Sequence, residues 1–102
     1  MEARLIILKF ESIDRFCRYY ETLRKKPIFL PTQAPLSAGT PIVIALVIPS
    51  LGFNFPLRGV VLQRSNASGG GVLVAPGEKF NEILRAIEKE LSAFDRFSET
   101  YG

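Results

Sequence analysis

The residues best equipped for chemistry in this 102-residue chain lie early in it: Arg15, Arg18, Tyr19, Arg24, Lys25 and Lys26. Guanidinium forks hold phosphates and planar acceptors through paired hydrogen bonds, and ammonium groups add point charge. A tyrosine ring can stack a nucleobase. The six residues form a candidate surface for a protein partner or an anionic ligand. A basic excess this mild is more often an ordinary solvated face. Other chemistry is excluded by absence. The chain has no histidine and one cysteine, Cys17. A Ser-His-Asp or Cys-His nucleophile pair cannot be assembled. A zinc or iron site lacks its usual ligands, and no internal disulfide can form. The expectation is a protein that is not an enzyme, with no cofactor and no metal.

The elements that must position these residues belong to a single domain, residues 1–102. A chain of this length can bury one core without staples. Hydrophobic residues make up 47% and charged residues 23%, which argues against general disorder. No run reaches the ~20 apolar residues of a membrane span. The apolar run at the N-terminus is too short for a signal peptide, so the reading is cytoplasmic, without membrane insertion. The net charge is +3 and uneven. Basic residues exceed acidic ones over residues 1–30, and the reverse holds over 78–102. No continuous basic stripe exists, so nucleic acid is not an expected partner.

Leu5 to Phe10 reads as a short buried strand. Ser12 suits a helix N-cap, and Asp14 suits the positive end of the helix dipole. Ile13, Phe16, Cys17 and Tyr20 then share one helical face, predicting a helix over about 12–25. On that face Cys17 is expected to act as a small hydrophobe. Pro27 forbids continuation. Ile28 to Leu30 is a short strand, followed by a loop broken by Pro31, Pro35, Gly39 and Pro41. Ile42 to Ile48 is apolar throughout, which predicts cover on both faces. After a Pro49–Gly52 turn, Phe53, Phe55, Leu57 and Val61 alternate with Asn54 and Arg58, with Arg64 on the same polar side. Pro56 marks an edge or bulge, and Gly59 a bend or close backbone approach.

Ser65 to Gly71 reads as a hairpin loop. Its three glycines could cradle a phosphate, but a strand follows rather than a helix start. From Phe80 an apolar stripe (Ile83, Leu84, Ile87, Leu91, Phe94) predicts an amphipathic helix over about 78–96. The stripe either covers the sheet or forms, at its Leu91–Phe94 end, a homodimer or partner surface. Residues 97–102 read as a tail.

Several word patterns are similar to the PilZ family, in particular its small single-domain members. They are Lys9 to Phe16, Tyr20 to Leu23, Ile28-Phe29-Leu30-Pro31-Thr32 and Pro35-Leu36-Ser37-Ala38-Gly39-Thr40-Pro41. Arg58-Gly59-Val60-Val61 and Gly71-Val72-Leu73-Val74 resemble the family's later strands. The resemblance implies a mainly β fold, a six-stranded antiparallel β-barrel followed by a helix. It also implies cyclic di-GMP as the family's usual ligand, held by Arg-x-x-x-Arg and by Asp/Asn-x-Ser-x-x-Gly. Neither motif is present. No two arginines are spaced i, i+4, and the second motif's positions fall on Thr22, Arg24 and Pro27. No family ligand residue can be carried over.

Two functional readings follow. The first is a degenerate, non-catalytic PilZ-like adaptor acting through protein contact, as in bacterial motility, polarity or pilus control, and not binding cyclic di-GMP. The second is a receptor for cyclic di-GMP, or another anionic nucleotide, through a changed basic site.

Overall fold

The computed structural model describes residues 3–66 and 69–94. It is mainly β. Chain order is β1 (Arg4–Lys9), α1 (Ile13–Leu23), β2 (Ile28–Pro31), β3 (Pro41–Ile48), β4 (Phe53–Ser65), β5 (Gly71–Pro76) and α2 (Phe80–Leu91). The strands form one sheet in the order β1-β3-β4-β5-β2. β1 runs parallel to β3, from Arg4 beside Ile42 to Lys9 beside Val47. The remaining pairs are antiparallel.

This sheet differs from the expected barrel. Among the described residues it has five strands, is mixed, and ends in two edges, β1 and β2. The difference begins at β1. Two elements, α1 and β2, separate β1 from β3, which is enough chain for the crossover that parallel neighbours require. α1 carries the chain to the far edge, where β2 pairs with β5.

Local chemistry explains the boundaries. The Ser12 side chain accepts from the Arg15 backbone N–H at 3.3 Å, and Asp14 lies in the first turn of α1. The helix ends at Leu23, with Arg24 as its C-cap, shortly before the cis Lys26–Pro27 peptide. The β3–β4 connection is a short 3-10 turn, Pro49–Leu51, closed by Gly52 at φ +70°. That left-handed value favours glycine. β4 is bulged between Val61 and Gln63. Pro56 lies where only β3 pairs with β4, because β5 first meets β4 at Gly59. Its missing N–H therefore costs no bond to β5. At Gly59 a Cβ would sit 2.6 Å from Val74 Cγ1 and 2.7 Å from the Ala75 carbonyl oxygen, so the expected close approach is present.

The core lies on one side of the sheet. Ile42, Ile44, Leu46 and Ile48 of β3, with Phe55, Leu57 and Val61 of β4, Val72 and Val74 of β5, and Ile28 and Leu30 of β2, are all buried in one cluster. Their period of two puts them on a single face. Both helices cover that face. α1 contributes Phe16, Tyr20 and Leu23, and α2 contributes Phe80, Ile87 and Leu91. Cys17 packs half-buried against the same cluster. The Tyr20 hydroxyl donates to Glu88 Oε1 at 2.6 Å and ties the two helices together.

Two burial expectations are corrected here. β1 is an edge strand rather than a buried one, with Leu5 61% and Ile7 52% exposed. β3 is covered fully on one face only, and Val43 and Val47 on its other face are half-buried outside the core cluster. With both helices on the same side, no described element is left for the second face.

Two substitutions should separate the faces. Leu46→Ala opens a cavity in the helix-covered core and should lower unfolding free energy by about 2–5 kcal/mol. Leu5→Ala, on the uncovered face, should stay within about 0.5 kcal/mol of wild type. Urea denaturation of both variants checks the contrast.

Candidate functional site

The six candidate residues lie on α1 and in the segment just after it. Arg15 is exposed on α1, with its Nε 3.8 Å from Glu11 Oε2 in an exposed i, i+4 pair of little energetic weight. Arg18, Arg24 and Lys25 are exposed on and just after α1. Lys26 turns toward α2, its Nζ 5.6 Å from the centre of the Phe80 ring. A groove of about 550 Å³ is lined by Arg58, Val60, Lys79, Phe80 and Ile83 with others. None of the six lines it.

Tyr19 is not free to stack a base. Its ring packs against Phe10, with centroids 5.7 Å apart, and its hydroxyl donates to the Phe29 carbonyl at 2.8 Å. Burial pushes the phenol above its ordinary pKa. Tyr19 is therefore structural, satisfying a carbonyl of the edge strand β2. Arg64 is structural as well: its Nη1 donates to the Ala34 carbonyl at 2.8 Å and secures the loop before β3. The α2 stripe is largely used by the core. Phe80, Ile87 and Leu91 are buried, Ile83 and Leu84 are half-buried, and Phe94 meets the Phe53 ring edge-on at 5.9 Å. The expected homodimer surface on this helix has little apolar area left. The predicted residues 95 and 96 of this helix lie outside the described residues.

The glycine segment joins two antiparallel strands, as a hairpin loop would. Its residues 67 and 68 lie outside the described residues. Among the described residues no group of three metal-ligating side chains occurs. No helix there is long and apolar enough to cross a membrane.

What the sequence reading missed is the uncovered face of the sheet. The strand registers lay it out in rows. Ile7, Ala45 and Pro56 adjoin across β1, β3 and β4. Leu5, Val43 and Arg58 form the next row, and Pro41, Val60 and Ala75 form the one after it across β3, β4 and β5. Val60 is 42% exposed and Leu62, at the bulge of β4, 46%; Leu5 and Ile7 on β1 are more exposed still. A shallow concavity over this surface is lined by Leu5, Ile7, Val43, Ala45, Val47 and Pro56 among others. Contiguous exposed apolar surface of this kind marks interaction sites. The signal was present in the sequence, because Leu5, Ile7, Val60 and Leu62 are apolar at positions where an outward-facing strand residue is usually polar.

The electrostatics of the sheet are one-sided. Its five strands contain Arg4, Lys9, Arg58 and Arg64 and not one acidic residue. Within the described residues every aspartate and glutamate lies on a helix or in a connection. On the uncovered face the registers place Lys9 beside Val47 and Arg58 beside Val43, so that face is apolar with two basic residues and no acidic one.

No family model matches the chain, and no curated protein matches it significantly.

The buried phenol gives a pH test. Below about pH 10 both folded and unfolded chains keep the Tyr19 proton. Above that value the unfolded chain releases it first, because burial raises the folded pKa, so stability falls as pH rises. Tyr19→Phe should be less stable than wild type by about 0.5–1.5 kcal/mol at neutral pH, the worth of one hydrogen bond. That gap should shrink as pH rises above about 10 in urea titrations.

Proposed function

We propose that the chain is a non-catalytic, PilZ-like adaptor that binds another protein through the uncovered apolar face of its sheet, and that it does not bind cyclic di-GMP. The observation that carries this reading is the set of exposed apolar residues Leu5 and Ile7 on β1 and Val60 and Leu62 on β4, strands whose outer face no described element covers. In this reading the mixed five-stranded sheet is the counterpart of the family's six-stranded barrel, with β1 and β2 as its unclosed edges. A role in bacterial motility, polarity or pilus control, in the cytoplasm, goes with the family resemblance.

The nucleotide reading is the weaker one. Its basic residues lie on an exposed helix surface, its aromatic partner Tyr19 is committed to Phe29, and none of the six lines the groove beside Arg58 and Phe80. A cyclic dinucleotide needs convergent polar groups in a concave site.

Calorimetry with cyclic di-GMP should give no binding heat, and a micromolar or tighter dissociation constant would overturn the reading. In the native host, the double substitution Val60→Glu with Leu62→Glu should abolish capture of the partner. Reversing the charges of Arg24, Lys25 and Lys26 should leave capture intact. The opposite pattern would place the contact on the basic helix end.

A further inference from the structure

The two edges of the sheet are built differently. β2 has four residues, follows Pro27 and ends in Pro31. The Tyr19 hydroxyl already occupies the Phe29 carbonyl on that strand. Shortness, proline and edge charges blunt an edge against further pairing, and a capped carbonyl removes one acceptor. Of these β1 has only charges, Arg4 and Lys9, at its two ends. It runs for six residues, Arg-Leu-Ile-Ile-Leu-Lys, in unbroken register with β3 and without proline, glycine or bulge. Every one of its residues is exposed or half-buried. Strands bond on two sides, and β3 uses only one side of β1. Its charges sit at the two ends, Arg4 and Lys9, and leave the four central positions apolar.

We infer that β1 is a docking edge for an extended segment of a partner protein, one that carries an acidic residue at each end of a short apolar-alternating run. The inference rests on the protein-binding reading above and names the partner's chemistry. Antiparallel addition is the more stable pairing per residue, and residues directly opposite one another share a face. An acidic residue opposite Lys9 is then followed, two and four positions on, by apolar residues opposite Ile7 and Leu5. A second acidic residue, five positions after the first, meets Arg4. The two apolar side chains extend the uncovered face outward beside Leu5 and Ile7. Backbone bonds supply affinity, and the alternate side chains and end charges supply selectivity.

A second copy of the chain fits this edge poorly. The sheet contains basic residues and no acidic ones, so two sheets side by side or face to face bring only like charges together.

The test is a titration of the isotopically labelled full chain with the synthetic peptide Ser-Glu-Thr-Val-Thr-Val-Glu-Ser, followed by NMR. Binding at millimolar peptide is expected, with amide shifts concentrated in residues 4–9 and their β3 neighbours. Lys9→Glu should weaken binding roughly two- to five-fold, the scale of one exposed ion pair. A peptide with lysine in place of its first glutamate should restore the loss for that variant and bind wild type worse. No shift in residues 4–9, shifts confined to another surface, or failure of the charge swap would each overturn the inference. If the peptide fails while Val60→Glu with Leu62→Glu still abolishes capture of the native partner, strand addition is wrong and the protein-binding reading stands.

Discussion

Both helices pack on the same face of the sheet, and the rest of the structure depends on that placement. α1 and α2 each carry one apolar stripe, and each stripe goes into the cluster around Ile44, Leu46 and Leu57. The Tyr20–Glu88 hydrogen bond joins the helices above that cluster. A bond between a phenol and a carboxylate is charge-assisted and stronger than a neutral one. Two helices spent on one face leave the other without cover, although β1, β3 and β4 carry apolar residues there. The uncovered face is the direct consequence of where the helices went.

Topology explains that placement. β1 and β2 are consecutive strands in the chain but lie at opposite edges of the sheet. α1 must therefore span the sheet between them, and it does so over the side where Phe16, Tyr20 and Leu23 find the inward-facing residues of β2 and β3. α2 follows β5 through Gly77, whose backbone N–H donates to the Arg58 carbonyl at 2.8 Å. A Cβ at Gly77 would lie 3.0 Å from that carbonyl oxygen, so the chain turns tightly against β4 before the helix begins. α2 then lies beside α1 rather than opposite it.

Much of the fold was legible in the sequence. Ser12, Pro27, Gly52 and Gly59 each impose a local stereochemical rule, and each acts where the sequence placed it. Both amphipathic helices were readable from their periodicity, β4 from its alternation, and the other strands as short apolar runs. The sixth strand and barrel closure implied by the family resemblance do not occur among the described residues. The site was less legible. Tyr19 borders the apolar face of α1, and whether it meets solvent or Phe10 and Phe29 depends on contacts distant in sequence. A continuous apolar run such as Ile42 to Ile48 says that both sides of a strand are apolar. It does not say which side another element will cover. The basic residues around Arg24 were conspicuous in composition, yet an exposed helix end does not bring them to a common point.

The central claim is that the face bearing Leu5, Ile7, Val60 and Leu62 is open in the free chain while the face bearing Ile44, Leu46 and Leu57 is closed. Methyl NMR with a soluble paramagnetic relaxation agent tests it most directly. The account predicts strong broadening of the first set of methyl signals and little change in the second. Equal protection of both sets would mean that the sheet is covered on both sides, and would contradict the account.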